Sequence, residues 1–176
     1  MFTIYLAIGG SEESMKKRCE KLIEKREENR LKDEWEYMTI LSGFLNETLF
    51  MKKFFPGECT HYAYSYDTLS NIKNCLAYLE CADEIWIATS PLHWERIKII
   101  LKKFPSVEKK IKWINTEEQE AKYAKFGLKI YKLLGPRFLQ KVAIITRLKK
   151  YFLEYRILKN KKKWYTELGY KTIEGC

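Results

Sequence analysis

The chain has 176 residues, 46% of them hydrophobic and 32% charged, which is long enough to bury a core without disulfide or metal staples. Its five cysteines (Cys19, Cys59, Cys75, Cys81 and Cys176) are odd in number and lack Cys-x-x-Cys spacing, so they read as free thiols in a reducing compartment rather than a disulfide frame or a zinc site. No uncharged run approaches the roughly 20 residues a membrane helix needs, and the net charge of +10 is concentrated at one end: residues 1–116 carry 18 Lys and Arg against 17 Asp and Glu, residues 117–176 carry 15 against 6.

In chain order, Met1 to Ile8 is an apolar, β-branched and aromatic run that predicts a strand ending at Gly9-Gly10-Ser11. The run has no basic leader and no small-residue cleavage site, from which a cytoplasmic location is expected. From Glu12 to about Asp33 a highly charged helix is predicted, with Met15, Cys19, Leu22 and Ile23 as its narrow inward stripe. Thr39-Ile40-Leu41 is a second short strand, ending at Ser42-Gly43 and leading towards Glu47. The polar cluster Ser65-Tyr66-Asp67-Thr68-Leu69-Ser70-Asn71 opens a segment in which Ile72, Cys75, Leu76 and Leu79 recur at helical spacing.

The run Ile85-Trp86-Ile87-Ala88 predicts a buried strand, and Thr89-Ser90-Pro91-Leu92-His93-Trp94-Glu95-Arg96 follows it directly. Ile97, Ile100, Leu101 and Phe104 then keep helical spacing until Pro105-Ser106, and Ile111 to Ile114 reads as another strand. A helix is predicted from Thr116, interrupted near Gly135-Pro136. The alternation of strands and helices predicts an α/β, Rossmann-like three-layer fold with a mostly parallel sheet. Residues 1–116 form its α/β domain, and residues 117–176 a helical basic extension packed on it. Parallel strands deliver their polar ends to one edge, where α/β proteins bind ligands and where helix N-termini favour anions.

These strand ends resemble the YdcF-like family (the SanA/ElyC/YdcF domain), a domain of unknown function. Its pattern is matched in order and spacing by Gly9-Gly10, Arg18, Ser42-Gly43, Glu47, Ser65-Asp67-Thr68-Asn71 and Thr89-Ser90-His93-Arg96. The resemblance covers about half the chain and stops at Asn115; Phe44 stands where the family often has a second Gly. It implies a ligand site on those residues, with S-adenosylmethionine as one ligand associated with the family. Envelope members carry a membrane anchor, and the expected cytoplasmic location departs from them.

Each residue also has a plainer role. His93 and Arg96, three positions apart, can face one spot, His93 as a proton donor and Arg96 as a fork for phosphate or carboxylate; equally, His93 can cap backbone and Arg96 pair with Glu47 or Glu95. Ser65, Asp67 and Thr68 are preferred N-cap types, whereas Asn71 is one turn in and has no capping duty. Glu47 reads either as a surface residue or as a base or ribose-binding group, and Arg18 belongs equally to a solvated charged face.

Gly9-Gly10-Ser11 lacks the Lys of a P-loop and the third Gly of a dinucleotide fingerprint. No Gly-x-Ser-x-Gly elbow is present and no Cys adjoins a His. Two histidines, His61 and His93, exclude a multi-histidine metal centre, while carboxylate-held magnesium stays open. The expected function is therefore binding of a small anionic, nucleotide-like or phosphorylated ligand at the carboxyl edge of the sheet. Hydrolysis or transfer could accompany it, with His93 and Glu47 catalytic and the remaining strand-end residues binding. The alternative is a non-catalytic module that docks nucleic acid or an anionic surface through an amphipathic basic helix at 147–163, whose Tyr151, Phe152 and Tyr155 pack on the domain.

Overall fold

The structure is a computed structural model that describes residues 1–30, 36–57, 60–65, 67–117, 125–126 and 128–138. The chain divides into two compact units, Met1–Gln140 and Lys141–Cys176. The first takes in the start of the expected extension, since Tyr131 belongs to its core. The basic segment 147–163 lies outside the described residues.

Five strands form one sheet: β1 (Phe2–Ile8), β2 (Glu36–Gly43), β3 (Thr60–Tyr64), β4 (Glu84–Thr89) and β5 (Ile111–Asn115). Their order is β3-β2-β1-β4-β5, and every pairing is parallel. Between them run α1 (Glu12–Arg30), α2 (Leu45–Lys52), α3 (Thr68–Lys73), α4 (Leu76–Cys81), α5 (Pro91–Leu101) and α6 (Pro105–Glu108). The fold is thus the expected Rossmann-like α/β sandwich, with the four strands read from the sequence neighbouring and parallel. β3 is the addition.

The period-two alternation of a strand explains how β1, in the middle of the sheet, serves two cores. Ile4, Leu6 and Ile8 pack with residues of α3, α4, α5 and α6, while Tyr5 and Ala7 pack with Met15, Cys19 and Leu22 of α1 and Met51 of α2. Helices therefore cover both faces. The chain moves outward from β1 to β2 and β3, then returns to the other side of β1 for β4 and β5, so the direction of winding reverses between β1 and β4. In doubly wound sheets that reversal opens a crevice at the carboxyl ends of the two strands.

Several local differences from the sequence reading have physical causes. The periodic stretch around Ile72 to Leu79 is two helices, broken at Asn74, whose Nδ2 donates to Tyr64 O at 2.6 Å. α5 ends at Leu101, and Pro105, with no N–H to lose, occupies the first turn of α6. Thr116 and Glu117 are not helical: the Thr116 N–H donates to Thr89 O at 3.4 Å and its side chain is buried, and the predicted helix beyond them, at 118–124, lies outside the described residues. Residues 128–138 are helical, with Gly135 in the left-handed region at φ 73°, where a residue without a Cβ is at no disadvantage.

The charged surface of α1 is laced by exposed pairs such as Lys17 with Glu13 and Lys25 with Glu28, each worth only a few tenths of a kcal/mol. Its anchoring comes from Met15, Cys19 and Leu22, and from Asn29, which is fully buried and donates to Tyr5 Oη at 2.8 Å. Among the described residues no helix is long and apolar enough to cross a membrane.

Candidate functional site

β1 ends by handing its last carbonyls to a buried arginine. Arg18 Nη1 donates to Ile8 O at 3.0 Å and to Gly9 O at 2.9 Å. With 5% of its surface exposed, Arg18 does not belong to the solvated face of α1. Desolvating a guanidinium costs several kcal/mol unless it is paired and hydrogen-bonded, so the strand-end carbonyls fix its position. Ser11 caps the helix through Ser14 N–H, and a Cβ at Gly10 would stand 3.1 Å from Arg18 Nη1.

Gly9, Gly43 and Glu47 form a second tight contact. Gly9 N–H donates to Ser42 O at 2.7 Å, and the Gly9 and Gly43 backbones approach so closely that a Cβ on either would stand 3.2 Å from the other's Cα. The Glu47 carboxylate lies over both glycines, its Oε2 accepting the Phe44 N–H at 2.7 Å. Glu47 is thus neither a plain surface residue nor remote from the strand ends. It closes the first turn of α2 against the Gly9 turn.

Ser42, Ser65 and Asn71, all buried, are joined in one seam. Ser42 Oγ lies 2.9 Å from Ser65 Oγ and donates to Asn71 Oδ1 at 3.0 Å. Ser65 Oγ also donates to Ala63 O at 3.1 Å, so the Ser42–Ser65 contact joins two hydroxyls that each have a further acceptor. The seam ties the ends of β2 and β3 to α3. Asp67 caps that helix, its Oδ1 accepting Ser70 N–H at 2.7 Å, as the N-cap reading requires. Thr68 does something else: its hydroxyl faces His93.

His93 sits in the first turn of α5, between two threonines. Nδ1 is 2.8 Å from Thr89 Oγ1 at the end of β4, and Nε2 is 3.3 Å from Thr68 Oγ1. The imidazole therefore does not cap backbone. Burial holds its pKa well below the usual histidine value, and the positive charges of Arg18 and Arg96 push it the same way. The ring is neutral at pH 7, with one nitrogen donating and the other accepting. Ser90, 4% exposed, stands at the N-cap of α5 without a side-chain capping bond. Glu95 pairs with Lys98.

The fourteen residues singled out in the sequence lie at the carboxyl ends of β1, β2, β3 and β4 or on the turns and helices that follow them, and ten of them fall into two groups. Ser42, Ser65, Asn71, Gly43 and Glu47 bind strand ends to one another. Thr68 and Thr89 meet at His93, on which the charges of Arg18 and Arg96 act, near the point where the winding of the sheet reverses. Two residues escaped the sequence reading. Trp113 Nε1 donates to Thr89 O at 2.9 Å, and its indole stacks on Trp94 with centroids 5.7 Å apart. Tyr131, from the helical segment 128–138, is 6% exposed, and its phenol feels the charges of Asp67 and Arg96. Its only sequence signal is the i, i+3 pairing with Leu128.

Among the described residues no cluster of His, Cys, Asp and Glu could hold a metal ion. Cys19 and Cys75 are buried thiols pushed up to about 12 by desolvation, which makes them poor nucleophiles. The chain matches no family model, no curated protein and no solved structure.

Proposed function

We propose that this chain is a YdcF-like α/β protein that binds a small phosphorylated or nucleotide-like anion in the crevice between the ends of β1 and β4. The observation that carries this reading is the neutral, buried His93 flanked by two arginines, Arg18 and Arg96, at the point where the winding of the sheet reverses. Two cations acting on one buried spot repel each other, and an anion between them offsets that repulsion. The Gly10 backbone and the N-terminus of α5 at Ser90 add N–H groups and helix-dipole charge of the right sign, while the Gly9 N–H is taken by Ser42 O.

In this reading Arg96 forks the anion, Arg18 is held by Ile8 O and Gly9 O as a fixed positive charge, and His93 orients the Thr68 and Thr89 hydroxyls. A neutral imidazole accepts a proton more readily than it gives one, so chemistry here would use His93 as a base. S-adenosylmethionine, whose carboxylate is its anionic group, belongs in the same test. The test is a thermal-shift and calorimetric panel of inorganic phosphate, mononucleotides, phosphorylated sugars and S-adenosylmethionine on wild type and Arg96→Ala. The variant should bind the responding ligand about tenfold or more weaker, because a charge-assisted contact contributes ~1.5–3 kcal/mol, with little change in melting temperature. Unchanged affinity with a collapsed melting temperature would make Arg96 a structural ion-pair partner and end the proposal.

A further inference from the structure

Among the described residues, two polar atoms near the proposed anion site are buried without a hydrogen-bond partner: Asp67 Oδ2 and the Tyr131 hydroxyl. They come from distant parts of the chain. Asp67 heads α3, where its other oxygen caps Ser70 N–H. Tyr131 belongs to the helical segment 128–138 and packs in the same core cluster as Leu69, two residues beyond Asp67, and Ile97, next to Arg96. Asp67 and Arg96 are the charges that act on its phenol, whose pKa burial and then Asp67 raise. The hydroxyl therefore keeps its proton and is a donor at any physiological pH.

Native interiors leave few polar groups unpaired, and each such case calls for a cause. The surroundings restrict the chemistry of a partner. A second anion next to Asp67 is disfavoured by charge, and so is a cation next to Arg96. A neutral group that both donates and accepts suits the pair: it donates to the carboxylate oxygen and accepts from the phenol. An alcohol does both.

We infer that Tyr131 and Asp67 are the hydroxyl-recognising half of the anion site, and that its ligand is a phosphate ester of a polyol, of the ribose phosphate kind, with its phosphate towards Arg96 and a hydroxyl between Asp67 Oδ2 and the Tyr131 phenol. The inference rests on the anion site proposed above. Both atoms are closed to solvent, so the ligand enters by parting the segment 128–138 from the start of α3, and the bonds it supplies replace ones that the closed arrangement lacks.

The probes are ribose 5-phosphate and methyl phosphate, which share the phosphate and differ in the hydroxyls, titrated calorimetrically into the full chain. Wild type should bind ribose 5-phosphate about tenfold tighter than methyl phosphate. Tyr131→Phe and Asp67→Asn, the latter retaining a good N-cap, should each lose most of that preference while methyl phosphate affinity stays within about twofold. Tyr131→Phe should melt no lower than wild type, because it removes an unpaired buried hydroxyl. Equal wild-type affinities for the two probes, or a Tyr131→Phe variant that keeps the preference, overturn the inference and leave the anion site standing. A lower melting temperature with the preference intact assigns the hydroxyl to an internal water and also overturns it. Wild type that binds neither probe removes the anion site and this inference together.

Discussion

Gly9→Ala isolates the contact that closes the Gly9 turn on α2. A Cβ at Gly9 would overlap Glu47 Oε2 and stand 2.8 Å from Glu47 Cδ and 3.2 Å from Gly43 Cα. The backbone of β2 cannot retreat without breaking the parallel ladder, so the carboxylate must move, by about 1 Å, to regain van der Waals separation. That movement breaks its 2.7 Å bond to Phe44 N–H. Losing a hydrogen bond to a charged acceptor costs ~1.5–3 kcal/mol, and the residual pressure on Gly43 adds to it, so about 2 kcal/mol of destabilisation is expected. Urea denaturation of Gly9→Ala, Glu47→Ala and the double variant measures it. Because the alanine at position 47 no longer reaches Gly9, the double variant should be more stable than the sum of the singles predicts, by at least ~1 kcal/mol. Gly43→Ala is the control: its Cβ would also meet Glu47 Cβ at 3.2 Å, which Glu47→Ala retains, so the coupling there should be smaller. Additive losses at Gly9 and Glu47 would refute the wedge.

His93 makes stability depend on pH. Its folded pKa lies below the unfolded value of about 6.5, so the unfolded chain takes up the proton first; the contribution is complete above about pH 6.5 and is lost as pH falls, by up to ~1.4 kcal/mol per unit. His93→Gln, which can still bond Thr89 and Thr68, should flatten the acid limb of a stability–pH curve by about 1 kcal/mol per unit, and an unchanged limb would place the titration at His61, which burial also lowers. The basic segment 147–163, if it docks polyanions, should bind duplex DNA, RNA or anionic vesicles weakly and lose that binding steeply with salt, since counterion release drives it. Changing Lys161, Lys162 and Lys163 to Glu should abolish the low-salt signal; binding indifferent to those changes would remove the segment from that role.

The sheet was legible where strands are buried on both faces. Met1 to Ile8 and Ile85 to Ala88 are continuous apolar runs because β1 and β4 lie inside a parallel sheet with helices on both sides. β3 is an edge strand, Thr60-His61-Tyr62-Ala63-Tyr64, with Ala63 its one fully buried residue, so it carries no such run. The burial of Arg18 was invisible to composition, since it sits among twelve other charged residues of α1, none of them buried; only its rotation towards Ile8 and Gly9 singles it out. Tyr131 was missed for a different reason. The motif ends at Asn115, and the residue reaches the site by packing, from a segment whose local pattern names no partner.

The strand-end hydroxyls also show why a motif and a ligand site are not the same set of residues. Ser42, Ser65 and Asn71 satisfy one another, and a ligand that engaged any of them would first have to break a buried bond, gaining little net free energy. Their effect on binding is indirect: by fixing β2 and β3 to α3 they set where Asp67 and Thr68 stand. Thr68 in turn meets His93, and the Asp67 charge acts on the Tyr131 phenol. Substitution in the seam should therefore change affinity only as far as it moves α3. Substitution of Arg96, whose charge acts on His93 and on the Tyr131 phenol, should change affinity directly, and the ratio of affinity lost to melting temperature lost separates the residues that build the site from those that use it.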